Sequence, residues 1–215
     1  MHVIITGASR GIGKALADRY EARGARVTGT ARQGGDGLIA LDVARPDGFA
    51  TLRQAAGDAP VDLLICNAGI YPDKGETLDT GYPAALWAEA MAVNVTGVFL
   101  TIQTLLPNLR AAGGGRIAII SSQMGSSTRA AGGSYIYRAT KAAVLNLGRN
   151  LARDLAPDGI AVGIYHPGWV RTDMGGAAAE LTADEAAAGL ERRFDTLDMA
   201  ATGCFQTWDG RDHPF

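Results

Sequence analysis

The chain is poor in the residues that mark several classes of protein. Two of its 215 residues are cysteines and three are histidines. Cys66 lies in an apolar run and Cys204 near the end, and neither has a partner at metal-ligand spacing. A zinc site and a disulfide framework are therefore excluded, no metal is expected, and both thiols read as those of a reducing compartment. No stretch collects Lys and Arg, and the net charge is −2. Neither a nucleic-acid nor an anionic-membrane surface is indicated. The opening Met1-His2-Val3-Ile4-Ile5 lacks the long apolar region of a signal peptide. No apolar run is read as reaching membrane-spanning length, and a cytoplasmic location is expected. Repeats and linkers are lacking too, so one domain over residues 1–215 is expected.

What is present is a series of short apolar segments alternating with helical patterns. Residues 3–6 are apolar and β-branched, which suits a strand buried on both faces of a parallel sheet. They lead into Thr6-Gly7-Ala8-Ser9-Arg10-Gly11-Ile12-Gly13, followed by a helical pattern through Ala15, Leu16, Arg19 and Tyr20. Strand, glycine turn and helix in that order gather free backbone N–H groups and a positive helix end around one anion. The glycines let the backbone approach a pyrophosphate closely. Their spacing differs from the common G-x-G-x-x-G, but a plain strand-to-helix turn needs one glycine, not three.

Further strands are read at 26–30, 38–43, 61–66, 116–120 and 160–165, with an edge strand at 203–208. Helical patterns occupy 46–56, 82–109 and 134–156, the last stopped by Pro157-Asp158-Gly159. Thr182 with Glu185 makes a capping box for a helix through Phe194. This alternation predicts an α/β fold with a parallel sheet of about seven strands and helices on both faces.

In an open parallel sheet, ligands bind outside the carboxyl ends of the strands. The glycine turn, Asp42-Val43, Asn67-Ala68-Gly69, Ser121-Ser122 and Pro167-Gly168 all fall at such ends. In dinucleotide-binding sheets the second strand ends at the adenosine ribose, where a carboxylate favours a free 2′-hydroxyl and an Arg accommodates a 2′-phosphate. Here Arg32 lies just beyond that strand, Arg10 lies in the glycine turn, and no acid stands at the strand end. NADP(H) is therefore expected over NAD(H).

Tyr137 and Lys141 are four apart near the start of the 134–156 helix, which puts both on one face. A phenol in water has a pKa of roughly 10, and an ammonium beside it draws that value towards the working range. The pair is expected to give a proton to a carbonyl oxygen. Tyr135, six before Lys141, is off that face. His166, before Pro167 at a strand end, reads as structural or substrate-lining. Asn94 lies beside the stripe Trp87, Met91, Val98, Ile102 and Leu105, where a buried amide needs partners. It either kinks the helix and satisfies itself in the core, or holds a water.

Taken in order, Thr6-Gly-x-x-x-Gly-x-Gly13, Asn67-Ala-Gly69, Asn94, Ser122, Tyr137-x-x-x-Lys141 and Pro167-Gly168-x-Val170-x-Thr172 give the chain a family look. It resembles a short-chain dehydrogenase/reductase over nearly all its length. The stretches at 137–141 and 168–176 are similar to the C-factor and sniffer branch, whose members are carbonyl reductases or signalling proteins. The resemblance implies a Rossmann-type doubly wound sheet and hydride transfer between NADP(H) and a small carbonyl or alcohol substrate. It implies catalytic roles for Asn94, Ser122, Tyr137 and Lys141. Tyr137 would donate the proton, Lys141 would lower its pKa and bond the nicotinamide ribose, Ser122 would hold the carbonyl oxygen, and Asn94 would fix a water linking Lys141 to solvent.

By the same resemblance the cofactor would be held by Gly7, Ser9, Arg10, Gly11, Ile12, Gly13, Arg32, Asp42, Val43, Asn67, Ala68, Gly69, Pro167, Gly168, Val170 and Thr172, with Tyr137 and Lys141 reaching it as well. Asp42 would contact the adenine, Asn67 would steady the central strand, and Thr172 would orient the carboxamide. Ser121, Ser126 and Ser127 compete with Ser122, because the stretch to Tyr137 is longer than in the family. Residues 123–133, Trp169 and 174–194 would line the substrate pocket. In similar proteins the helices at 82–109 and 134–156 pair between subunits, so a homodimer or homotetramer is expected. Two other readings stay open. One is a dinucleotide-binding regulatory protein with little turnover. The other is a methyltransferase on a related sheet, which gives no reason for Tyr137, Lys141 and Ser122.

Overall fold

Seven strands cross the structure, a computed structural model that describes residues 1–79 and 81–215. They are β1 (His2–Ile5), β2 (Arg26–Ala31), β3 (Ile39–Ala40), β4 (Leu63–Cys66), β5 (Arg116–Ile120), β6 (Ala161–His166) and β7 (Phe205–Thr207). They form one sheet in the order β3-β2-β1-β4-β5-β6-β7, and every neighbouring pair is parallel. The chain works outward from β1 to β3, then returns to the other side of β1 for β4. That reversal leaves a crevice at the carboxyl ends of β1 and β4, the place where such sheets take ligands.

Both faces of the sheet are covered, which parallel strands require. Six helices flank it: α1 (Gly11–Ala22), α2 (Phe49–Ala56), α3 (Ala84–Met91), α4 (Gly97–Ala111), α5 (Tyr135–Leu155) and α6 (Ala183–Asp195). Successive strand residues point to opposite faces. Val3, Ile5, Leu63 and Ile65 accordingly pack with Leu16, Leu190 and Phe194 of α1 and α6. Ile4, Leu64, Ile117 and Ile119 pack with Leu52, Val98, Leu105 and Val144 of α2, α4 and α5. The capping box of α6 is present, with Thr182 Oγ1 accepting from Glu185 N and Glu185 Oε2 accepting from Thr182 N.

Three expectations change. The strand read at 38–43 shrinks to Ile39–Ala40, because Asp42 folds back and accepts a hydrogen bond from Ala44 N at 3.0 Å, a local turn that competes with the ladder. The helix read at 82–109 is one rod, Ala84–Ala111, interrupted by a π turn at Ala92–Thr96 centred on Asn94. A π turn holds more residues than an α turn, so the buried stripe changes phase across it. Met91 is left exposed, while Asn94, Val98, Ile102 and Leu105 face the core. The same rod is long and apolar enough, by length and composition, to cross a membrane, contrary to the expectation that no run reaches that length. It lies over the sheet, with Thr101 and Asn108 buried and hydrogen-bonded to protein. A third of its most apolar window is buried, and Met91 and Phe99 are exposed.

Candidate active site

A groove of about 980 Å³ opens at the carboxyl ends of the central strands. At one end stands the glycine turn between β1 and α1. Gly7 and Gly11 hold φ of +70° and +57°, a region where a Cβ is penalised. A Cβ on Gly13 would stand 2.2 Å from the Gly7 carbonyl oxygen, so α1 can leave the sheet at this angle only with glycine there. Asn67 clamps the turn from β4: its Nδ2 donates to the carbonyls of Thr6 and Gly7, both at 3.0 Å. Thr6 Oγ1 in turn accepts from the backbone N–H groups of Asn67 and Ala68.

Along the groove the structure gathers Gly7, Ser9, Arg10, Gly11, Ile12, Arg32, Asp42, Val43, Asn67, Ala68, Gly69, Tyr137, Lys141, Pro167 and Thr172. Arg32 is exposed at the end of β2. Arg10 is ion-paired with Asp173, from the loop after β6. Gly13, Gly168 and Val170 do not line the groove. Gly168 turns the chain at φ +86° against Leu181 and Trp208, and buried Val170 bridges to Leu181. Thr172 packs its methyl towards Gly11 and accepts from Gly175 N at 3.1 Å. Of the expected pocket-lining residues, Met174 and Ala183 reach the groove, whereas Trp169 is half exposed and donates to Gly175 O.

Of the adjacent serines after β5, Ser121 lines the groove and Ser122 lies buried beside it, and they divide their tasks. Ser121 donates to the carbonyl of Lys141 at 3.1 Å, tying β5 to α5. Ser122 accepts from Met124 N at 3.1 Å, which leaves its hydroxyl proton free. Ser127 is engaged by Phe215 O, and the buried Ser126 hydroxyl has no partner among the described residues. Of the four, Ser122 is the serine whose hydroxyl draws the Tyr137 pKa down.

Tyr137 and Lys141 are both buried on one face of α5. Lys141 Nζ donates to Ile120 O at 3.0 Å and stands 5.6 Å from the centre of the Tyr137 ring. The expected fall in the phenol's pKa does not occur. Burial pushes it up to about 12, with the Ser122 hydroxyl pulling the other way. Burial also pushes Lys141 down to about 8. A medium that solvates charge poorly disfavours phenolate and ammonium alike, so the phenol keeps its proton at neutral pH.

Asn94 sits in the π turn behind this pair. Its Nδ2 donates to Ile70 O at 2.9 Å and Thr140 Oγ1 at 3.0 Å, and its Oδ1 accepts from Ile70 N at 2.8 Å. Both amide hydrogens are thus committed to protein, and a water can be taken only on the remaining lone pair of Oδ1. Tyr135 packs edge-on against Tyr82, away from Lys141. His166 is buried outside the groove, its pKa pushed down to about 4 by burial. Two neighbours of Tyr137 carry no sequence signal. Tyr71 stacks on its ring, with centroids 4.2 Å apart and planes at 19°, and Asp73 accepts from its backbone N–H. Both come from the loop after Asn67-Ala68-Gly69, where Tyr-Pro-Asp reads only as a turn.

Comparison with known proteins agrees with this fold. The sequence pattern of the family described as short chain dehydrogenase matches residues 1–182. The chain is 37% identical over 157 residues to C-signal of Myxococcus xanthus, covering 73% of this chain and 93% of that protein. It is 34% identical over 185 residues to the 3-oxoacyl-[acyl-carrier-protein] reductase FabG of Vibrio cholerae, covering 80% and 74%. Among solved structures, the NADPH-bound carbonyl reductase from chicken fatty liver superposes with a TM-score of 0.89 at 27% identity, covering 100% of this chain and 98% of that one.

Proposed function

This chain belongs to the short-chain dehydrogenase family, and on that premise we propose that it is an NADP(H)-dependent carbonyl reductase acting on small aldehydes or ketones. The observation that carries the reading is the buried pair Tyr137 and Lys141, on one face of α5 and lining a groove that begins at the glycine turn. The residues fit a dinucleotide. Gly7 and Gly11 bring bare backbone to the groove beside the start of α1, where N–H groups are free for phosphate. The preference for the 2′-phosphorylated cofactor is supported by Arg10 and Arg32 on the groove, with no carboxylate ending β2.

Bound nicotinamide would supply the hydride. Ser122 would hold the carbonyl oxygen and stabilise the charge that develops on it. Tyr137, protonated at neutral pH, would pass its proton to that oxygen. Lys141 would hold the ribose side of the groove and, when charged, steady the phenolate left behind. The exposed Met91 and Phe99 of Ala84–Ala111 support a homodimer or homotetramer, which a solution mass checks.

A second reading, a cofactor-sensing regulatory protein with little turnover, is favoured by the likeness to C-signal. A screen of NADPH oxidation over aldehydes, ketones, quinones and 3-oxoacyl thioesters separates the two. Turnover that disappears in Tyr137→Phe, with NADPH binding kept, supports the reductase. A wild-type chain that binds NADPH yet oxidises it with no member of the panel supports the regulatory protein.

A further inference from the structure

The first turn of α5 is closed from outside the helix. Ser134, the residue before it, is in the left-handed region at φ +48° and makes no side-chain cap, and the first turn has no acidic residue of its own. The Ser134 hydroxyl is paired with Tyr71 OH at 2.5 Å instead. The capping acceptor is Asp73, whose side chain is completely buried. Its Oδ2 accepts from Ile136 N at 2.8 Å and its Oδ1 from Tyr137 N at 3.2 Å. A carboxylate on free N–H groups at the positive end of a helix is favourable both as an acceptor and as a charge.

The segment that delivers Asp73 is held at its other end as well. Asn94 takes both the N–H and the carbonyl of Ile70 and reaches Thr140 on α5. Tyr71 lies between these two anchors, face to face with Tyr137. We propose that Asp73 is a positioning residue for Tyr137: from 64 residues upstream, its buried carboxylate closes the first turn of α5 and holds the Tyr71 ring against the Tyr137 ring. Helix ends fray first, and Tyr137 is the third residue of this one. Without Asp73 two buried N–H groups lose their acceptor, and the phenol is no longer kept at one distance from Ser122.

Asp73 also acts by charge. The groups facing the phenol are Lys141 from α5, Ser122 from the end of β5, and Tyr71 and Asp73 from the segment after β4. Of these Tyr71 and Asp73 oppose ionisation of the phenol, which favours the form that donates.

The inference rests on the proposal that Tyr137 transfers the proton, and the experiment separates the two. Asp73→Ala and Asp73→Asn are compared with wild type for NADPH affinity, for kcat and KM with 4-nitrobenzaldehyde across pH, and for the phenolate absorbance of Tyr137, isolated by difference from Tyr137→Phe. Asp73→Ala is expected to lower kcat about 30- to 100-fold, the scale of a misplacement near 1 Å, with NADPH affinity within about threefold. Asp73→Asn keeps an acceptor oxygen without the charge. It should recover most of kcat, while its phenol titrates at lower pH than in wild type.

A kcat for Asp73→Ala within about threefold of wild type overturns the proposal, as does a loss of kcat matched by loss of NADPH binding. If Asp73→Ala does not fold, Asp73→Asn decides alone, and an unshifted phenol titration counts against the proposal. If wild type turns over no carbonyl, the reductase reading fails, and the phenol titration still tests Asp73.

Discussion

Arg10 on the glycine turn and Asp173 on the loop after β6 form an ion pair across the mouth of the groove. Both side chains are largely exposed, and such pairs hold only about 0.2–1 kcal/mol. Asp173 therefore competes weakly with an incoming phosphate for the same guanidinium. Asp173→Asn is expected to tighten NADPH by a factor of about 1.4 to 5, which this energy corresponds to, and to leave NADH unchanged. Arg10→Ala or Arg32→Ala should weaken NADPH by about tenfold, the scale of one charge-assisted hydrogen bond, with little change for NADH. Fluorescence titration of both cofactors checks this, and equal losses for the two would remove the case for NADP(H).

Gly13 offers a contrasting test, because it acts on the turn rather than on the choice of cofactor. A Cβ there would meet the Gly7 carbonyl oxygen at 2.2 Å and Asn67 Nδ2 at 2.5 Å. The first is backbone and cannot swing aside. Gly13→Ala is expected to cost about 1–3 kcal/mol, as overpacking does, and to lower the thermal midpoint by roughly 2–12 °C. NADPH and NADH affinity should fall together. A midpoint equal to wild type would show that the turn opens freely.

His166 sets an acid limb of stability. It is buried at the end of β6, and its Nδ1 has no partner among the described residues. Burial first, then the nearby His213 and Arg129, push its pKa down from 6.5 to about 4. Between those values the unfolded chain carries a proton that the folded chain refuses, so stability rises with pH through this window and falls on acidification. The contribution is on the order of 3 kcal/mol. Urea unfolding of wild type and His166→Gln at pH 4, 5 and 7 should show a flatter dependence in the variant. Parallel curves would place the acid limb elsewhere.

The division of labour between Ser121 and Ser122 shows where sequence reasoning reaches its limit. Strand alternation predicts that neighbours point to opposite faces, but not which face carries Tyr137; that depends on how α5 crosses β5. The shortened β3 and the phase change at Asn94 have a similar origin. The Asp42 turn and the π turn are local choices whose outcome rests on packing partners distant in the chain. Asp73 was less legible still. A carboxylate in a Tyr-Pro-Asp turn reads as solvated, and only the return of α5 to the same rim, 62 residues after Asp73, buries it.

By itself the sequence determined the alternation of strands and helices, the glycine turn, the strand-end segments that line the groove, and the pairing of Tyr137 with Lys141. These follow from periodicity and from contacts close in the chain, where few arrangements are sterically open. The tertiary structure decided which serine meets the phenol, what holds Tyr137 in place, and the protonation of the pair. Those depend on burial and on partners far apart in sequence, and burial reversed the expected pKa of Tyr137 because removal from water outweighs an ammonium whose nitrogen is 5.6 Å from the ring centre.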